Sequence, residues 1–233
     1  RASSMTKYFA YGSNCDPSVM EQKGVEFTAR QRVVLRGYRL LFNKQSLREN
    51  LPQSIGFANI NKCEEGIVEG LLYQLVLGAL DRLDESERYP NHYDRIRVVV
   101  EADSGIEECW AYQAQPAVTA DGLVPSRNYL NHILAGREFL SQQYFEALDQ
   151  SQTYTGECAC CGRSSEVLFV KEDHHLHTLC QSCREARIKW GDSINRVLTV
   201  AEAASIMNQL VMNGSGFSSI EELLTVAKAR NLI

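Results

Sequence analysis

Four cysteines stand in two pairs, Cys158-x2-Cys161 and Cys180-x2-Cys183, with 18 residues between the pairs. Thiolates are soft anionic ligands, and four of them complete the tetrahedral shell of a Zn2+ ion. The spacing therefore reads as a structural zinc site, one ion per chain. Reduced or disulfide-bonded cysteines without metal are the plainer alternative. Cys160 abuts Cys161, too close for both to serve one ion well. A second segment with chemical potential lies far upstream, at Tyr11-Gly12-Ser13-Asn14. N–H groups in a glycine turn after a strand point outward and can hold an anionic or polarised oxygen. The same tetrapeptide also serves as an ordinary turn.

Gly162 permits a tight knuckle after the first cysteine pair, residues 166–170 read as a hairpin strand, and a helix begins near Cys180, where its N-terminus favours thiolates. Knuckle, hairpin and helix in that order resemble the treble-clef zinc fold. A module this small buries little apolar surface, so the metal would supply its folding energy. His174, His175 and His177 precede the second pair, an arrangement similar to HNH-type nucleases. The following helix, residues 183–190, lacks the histidine or asparagine that would complete a catalytic site, so a nuclease is the weaker reading. Arg163, Lys171, Arg184, Arg187 and Lys189 make the region locally basic. That pattern suits contact with nucleic acid or protein, or simply a solvated face.

The elements that must position these groups are legible in outline. The chain has 233 residues, 44% hydrophobic and 23% charged, with a net charge of -5. Such a chain is globular and does not coat nucleic acid along its length. It has no apolar run long enough for a membrane helix. Five of the eight cysteines crowd between 158 and 183, and no export signal is visible, which predicts a reducing, cytoplasmic setting. Arg1-Ala2-Ser3-Ser4 reads as an expression remnant before Met5. Strands are expected at 6–10, 32–42, 56–60, 67–75, 96–101 and 108–113. Helices are expected at 17–24 behind an Asp16 cap, at 77–86, at 126–134 and 141–148 with serine caps, at 199–211 behind Thr199, and at 219–229 behind Ser218 or Ser219. Asn213-Gly214-Ser215-Gly216 separates the last two. The mixture predicts an α+β domain over 5–150, a zinc module over 155–192 and a helical tail over 193–233.

Seven pieces of the first domain resemble, in order, the γ-glutamyl cyclotransferase, or AIG2-like, family. They are Tyr8-Phe9-Ala10-Tyr11-Gly12-Ser13-Asn14-Cys15-Asp16-Pro17, the strand Leu35-Arg36-Gly37-Tyr38-Arg39-Leu40-Leu41-Phe42, Gly56-Phe57-Ala58-Asn59-Ile60, Val68-Glu69-Gly70-Leu71-Leu72-Tyr73, Leu83-Asp84-Glu85-Ser86-Glu87, His92-Tyr93-Asp94-Arg95-Ile96 and Pro125-Ser126-Arg127-Asn128-Tyr129. The resemblance implies a mixed β-barrel with flanking helices. It places a catalytic acid/base on Glu87, substrate donors on Tyr11, Gly12, Ser13 and Asn14, and a pocket-closing phenol on Tyr129, with no catalytic cofactor. Arg88 stands where the family usually has glycine, which puts the backbone there in question, since arginine resists positive φ. Cys15 has no histidine partner nearby and reads as a bystander thiol.

The implied reaction is intramolecular. The α-amine of a γ-glutamyl amine or peptide attacks its own γ-carbonyl, 5-oxoproline closes and the amine leaves. One carboxylate can take the proton and return it, best in a mostly apolar pocket. The rival is an altered cyclotransferase fold acting as a binding module.

Overall fold

The computed structural model describes residues 5–211 and 219–233. The tetrapeptide before Met5, the Asn213–Gly216 break and the Ser218 cap lie outside the described residues. The chain divides into two compact units, one running to Gln152 and one from Thr153 to Ile233.

The first unit is a closed five-stranded barrel. Its strands are β1 (Thr6–Ala10), β2 (Phe27–Gln45), β3 (Gly56–Leu75), β4 (Tyr93–Ala102) and β5 (Gly105–Ala114), in the order β1-β3-β2-β4-β5. β1 runs antiparallel to β3 and closes the barrel by a parallel pairing of Tyr8 with Trp110 on β5. Closure leaves no edge strand. β3 is one strand of 20 residues, where the sequence suggests two separated by the polar stretch 61–66. That stretch stays extended because β2 runs alongside it, pairing Tyr38 with Lys62 and Arg36 with Ile67. Gly37, at φ 79°, takes up the register shift between these pairs as a bulge.

Four helices flank the barrel: α1 (Pro17–Gln22), α2 (Ala79–Glu87), α3 (Arg127–Leu134) and α4 (Gln142–Asp149). Their starts follow the capping rule. Asp16, Ser126 and Ser141 each accept a backbone N–H from the first turn. Phe9, Leu35, Leu71, Leu72, Leu83 and Leu130 fill one buried core beneath them.

The second unit has two short hairpins, β6 (Thr155–Glu157) with β7 (Ser164–Glu166) and β8 (Leu168–Glu172) with β9 (His175–Leu179). Three helices follow: α5 (Gln181–Ser193), α6 (Val200–Val211) and α7 (Ile220–Ala229). Thr199 and Glu202 form a reciprocal capping box at the start of α6. The cysteine region and the tail share one core, in which Cys158, Cys183 and Trp190 pack with Leu198, Ile206, Leu210 and Leu223. Glu172 ties them further, accepting the Val200 N–H and pairing with Arg187 at 2.8 Å. The boundary at 192/193 suggested by the sequence therefore runs through a common core. The tail's apolar stripes cover the module's helix, which is why it does not form a segment of its own.

Candidate functional site

The turn after β1, the end of α2 and the start of α3 converge on one pocket. It is lined by Tyr8, Tyr11, Gly12, Ser13, Asn14, Ala58, Glu87, Tyr93, Tyr112 and Tyr129, with about 290 Å3 of empty space including its open mouth. All six positions singled out in the sequence reading, 11–14, 87 and 129, line it.

Glu87 is the last residue of α2, and its side chain is 15% exposed. Oε1 accepts the Lys23 ammonium at 2.9 Å and the Asn14 amide at 3.1 Å. Oε2 has no protein partner among the described residues and remains available to a bound proton donor. Asn14 is held from four directions. Its Oδ1 accepts from Lys23 at 2.7 Å, its Nδ2 donates to Tyr8 Oη at 2.8 Å and to Glu87, and its carbonyl accepts from Tyr73 at 2.7 Å. Because Lys23 can only donate and a carboxylate can only accept, the orientation of the amide is determined.

Residues 13–15 form a single 3-10 turn. The first N–H groups of such a turn have no intrahelical partner; that of Ser13 is taken by the Tyr129 hydroxyl, and that of Asn14 is left for the pocket. Gly12 is small for a reason: a Cβ there would lie 3.0 Å from the Tyr129 hydroxyl. That hydroxyl accepts the Ala58 N–H at 3.1 Å and also hydrogen-bonds Ser13. Tyr93 Oη donates to the Ala58 carbonyl at 2.8 Å. Tyr112 donates to Asp84 at 2.6 Å, and Asp84 also pairs with Arg95 at 3.2 Å. Tyr11 donates to the Tyr112 carbonyl.

The wall is thus phenolic rather than mostly apolar. Burial pushes the pKa of Tyr8, Tyr11, Tyr93, Tyr112 and Tyr129 up, and the negative charge of Glu87 pushes each further. The phenols therefore stay neutral hydrogen-bond donors around a carboxylate. Cys15 is fully buried, with its sulfur on the Ala10 carbonyl and its pKa raised by burial, an inert thiol.

Lys23, Tyr8, Tyr93 and Tyr112 went unassigned in the sequence. Lys23 follows a six-residue helix and meets a carboxylate 64 residues away, which no local pattern reveals. Tyr112 is brought in by β4–β5 register, in which it faces Arg95. Replacing Lys23 with Met is expected to lower kcat/KM about tenfold, the equivalent of one charge-assisted hydrogen bond. Steady-state kinetics with the folded variant checks this.

Arg88 adopts φ 51° and ψ 44° as the C-cap of α2, so the backbone keeps the left-handed geometry that glycine favours. An arginine there carries about 1–2 kcal/mol of strain. Arg88→Gly is expected to stabilise the chain by up to about 1 kcal/mol, after the unfolded-state entropy of glycine is subtracted. A denaturant titration of both forms reads it.

Model comparison brings the family into view: the γ-glutamyl cyclotransferase, AIG2-like model matches residues 8–131. The chain belongs to this family. Comparison with curated proteins finds no match. Among solved structures, a γ-glutamyl cyclotransferase superposes with a TM-score of 0.55 at 24% identity, covering 65% of this chain and 92% of that one. An uncharacterized human protein gives 0.55 at 25%, with the same coverage. YkqA from Bacillus subtilis gives 0.55 at 28%, over 64% of this chain and 54% of that one. The family match stops at residue 131 and leaves the cysteine-bearing unit outside it.

In that unit the Sγ atoms of Cys158, Cys161, Cys180 and Cys183 all lie within 4.8 Å of one another, a group able to hold a metal ion. A tetrahedral ion with Zn–S bonds of about 2.3 Å needs sulfur–sulfur edges of about 3.8 Å. The Cys161–Cys180 separation is 3.9 Å. Gly162, at φ 71°, turns the knuckle. Cys180 is the N-cap of α5 and Cys183 lies in its first turn, so the helix N-terminus faces the sulfurs. Arg163 Nε donates to Cys161 Sγ at 3.4 Å. Cys160 lies outside this group, donating to the Val200 carbonyl at 3.8 Å while also touching Cys183. His175 and His177 share one face of β9 with ring centres 6.4 Å apart, and among the described residues they join no metal-binding group. Arg163, Arg187 and Lys189 are engaged within the unit, by Cys161, Glu172 and Glu221. Lys171 and Arg184 are exposed and make no ion pair among the described residues. No helix among the described residues is long and apolar enough to cross a membrane.

Proposed function

We propose that the barrel cyclises the γ-glutamyl group of a small γ-glutamyl amine or peptide to 5-oxoproline, with Glu87 as the acid and base. The observation that carries this reading is the meeting of one carboxylate and the 12–14 turn in a single small pocket. The substrate α-amine, once neutral, attacks the γ-carbonyl carbon and a C–N bond closes the ring. Glu87 Oε2 takes the proton that the nitrogen sheds. The oxyanion develops against the Asn14 N–H and the Tyr129 hydroxyl that the Ser13 N–H holds in place. Glu87 then returns the proton to the departing nitrogen as its C–N bond breaks, and the carboxylate is regenerated. The pocket holds the folded-back conformer, which makes the ring closure effectively unimolecular. Lys23 and Asn14 fix the carboxylate through its other oxygen. Tyr129 and Tyr93 brace the Ala58 backbone that forms the opposite wall.

For the second unit the proposal is a structural Zn2+ ion held by Cys158, Cys161, Cys180 and Cys183 in a treble-clef-like arrangement, with no part in the chemistry. The test of the enzymatic reading is direct. Purified protein is incubated with a panel of γ-glutamyl amino acids and γ-glutamyl amines, and 5-oxoproline is measured by chromatography. Release from at least one member, lost in Glu87→Gln, supports the reading. Silence across the panel overturns it.

A further inference from the structure

Lys44 on β2 is 6% exposed, yet among the described residues it has no carboxylate partner. Its Nζ meets His92 Nδ1 at 3.3 Å and lies 5.9 Å from the Phe57 ring centre and 5.8 Å from that of Tyr93. Buried ammonium groups are normally paired with an anion, because an unpaired charge is costly to desolvate. Tyr93, under the Lys44 ammonium, also lines the pocket. Burial pushes the Lys44 pKa down, Arg88 and Arg48 push it the same way, and Glu87 alone among its neighbours pulls it back. His92 is lowered too, by burial, Lys44 and Arg88. The carboxylate of Glu87 is already committed to Lys23 and Asn14. Beside Tyr93, then, Lys44 has a buried charge that no carboxylate pairs with among the described residues.

Arg88 supplies a second, independent observation. It holds a left-handed conformation at which glycine would be unstrained. Backbone strain of this kind collects at ligand-binding positions, where a side chain contributes something glycine lacks. At this position that contribution is a cation.

We propose that Lys44, Arg88 and His92 form an anion subsite that binds the carboxylate of the departing amino acid. The preferred substrate is then a γ-glutamyl amino acid, whose departing residue has a free carboxylate, not a γ-glutamyl amine or a longer γ-glutamyl peptide. The assignment rests on the cyclisation reading and names its leaving group. In a γ-linked amino acid that carboxylate carbon sits two bonds from the departing nitrogen, so a cation beside the pocket lies next to it. The subsite takes no part in bond making or breaking. It binds, and a substrate lacking the carboxylate leaves its buried cation unpaired.

The decisive comparison uses γ-glutamyl-alanine and γ-glutamyl-alaninamide, which differ only in that carboxylate. Turnover is measured on the unmodified chain, and equilibrium binding on Glu87→Gln, which holds substrate without consuming it. The carboxylate form is expected to be favoured about 10- to 100-fold in both, the usual size of discrimination when a buried polar group is left unpaired. Lys44→Met is expected to shrink the ratio to about twofold, and Arg88→Gly, an exposed change that the fold tolerates, to shrink it partway. Should Lys44→Met fail to fold, Arg88→Gly carries the test. Equal turnover and binding of the two compounds, or a preference that survives both substitutions, overturns the subsite. If neither compound releases 5-oxoproline but the carboxylate form binds more tightly and Lys44→Met removes the difference, the cyclisation reading fails and the anion subsite stands.

Discussion

Glu87→Gln is expected to reduce 5-oxoproline formation by about 10^2- to 10^4-fold, the usual contribution of a positioned general acid/base. That range corresponds to about 2.7–5.4 kcal/mol of barrier. The substitution suits the question because glutamine keeps an acceptor oxygen for Lys23 and Asn14, which both bond to Oε1. Only the oxygen proposed to take the proton, which has no protein partner among the described residues, is replaced. The loss should therefore fall on kcat, with KM changed little. The Lys23–Glu87 pair has side chains 22% and 15% exposed, so removing its charge should shift the melting temperature by a few degrees at most. Glu85→Gln is the matched control, since Glu85 is exposed on the same helix and absent from the pocket. Activity of Glu87→Gln within about tenfold of the parent would remove Glu87 from the chemistry.

What was legible in the sequence depended on how far apart the cooperating residues lie. Capping residues and their helices were visible because each is a contact over two or three positions, as with Ser126 and the Tyr129 N–H. The cysteine pairs were visible because each pair sits within one knuckle or one helix turn. Glu87 was visible through the family motif, not through local chemistry, since a carboxylate at a helix end is usually solvated. Lys23 and Tyr112 were hidden, because barrel closure and strand register bring them to the pocket. The single long β3 was hidden for a related reason. Residues 61–66 are polar enough to suggest a loop, and their strand conformation is imposed by the neighbouring β2 rather than by their own preferences. The Arg88 backbone was the sharpest conflict between a residue and its place. The fold kept the left-handed cap and accepted arginine in it, so geometry prevailed over local preference there.

Removing metal is expected to unfold the second unit while the barrel stays intact. Elemental analysis of the full chain should find about one zinc per chain, and a value near zero in unchelated protein would end the zinc proposal. Cys158, Cys180 and Cys183 belong to the same buried cluster as Trp190, Leu198 and Leu210, so the sulfurs are part of the core rather than an appendage to it. Four-ligand zinc sites contribute an apparent ~10–16 kcal/mol near neutral pH, against a total stability of about 5–15 kcal/mol for an ordinary domain. A unit of this size has only a small apolar core to set against that loss. Chelation, or Cys180→Ser, should therefore expose Trp190, now fully buried, and red-shift its emission, read in a Trp110→Phe background. Protons compete with zinc for thiolates, so acidification should release the metal in the same transition. Every residue lining the pocket proposed for cyclisation falls between positions 8 and 129, so 5-oxoproline release should persist in the chelated chain. Retained Trp190 burial after complete metal loss would show that the apolar core of this unit suffices on its own. Parallel loss of activity would show that the two units are coupled.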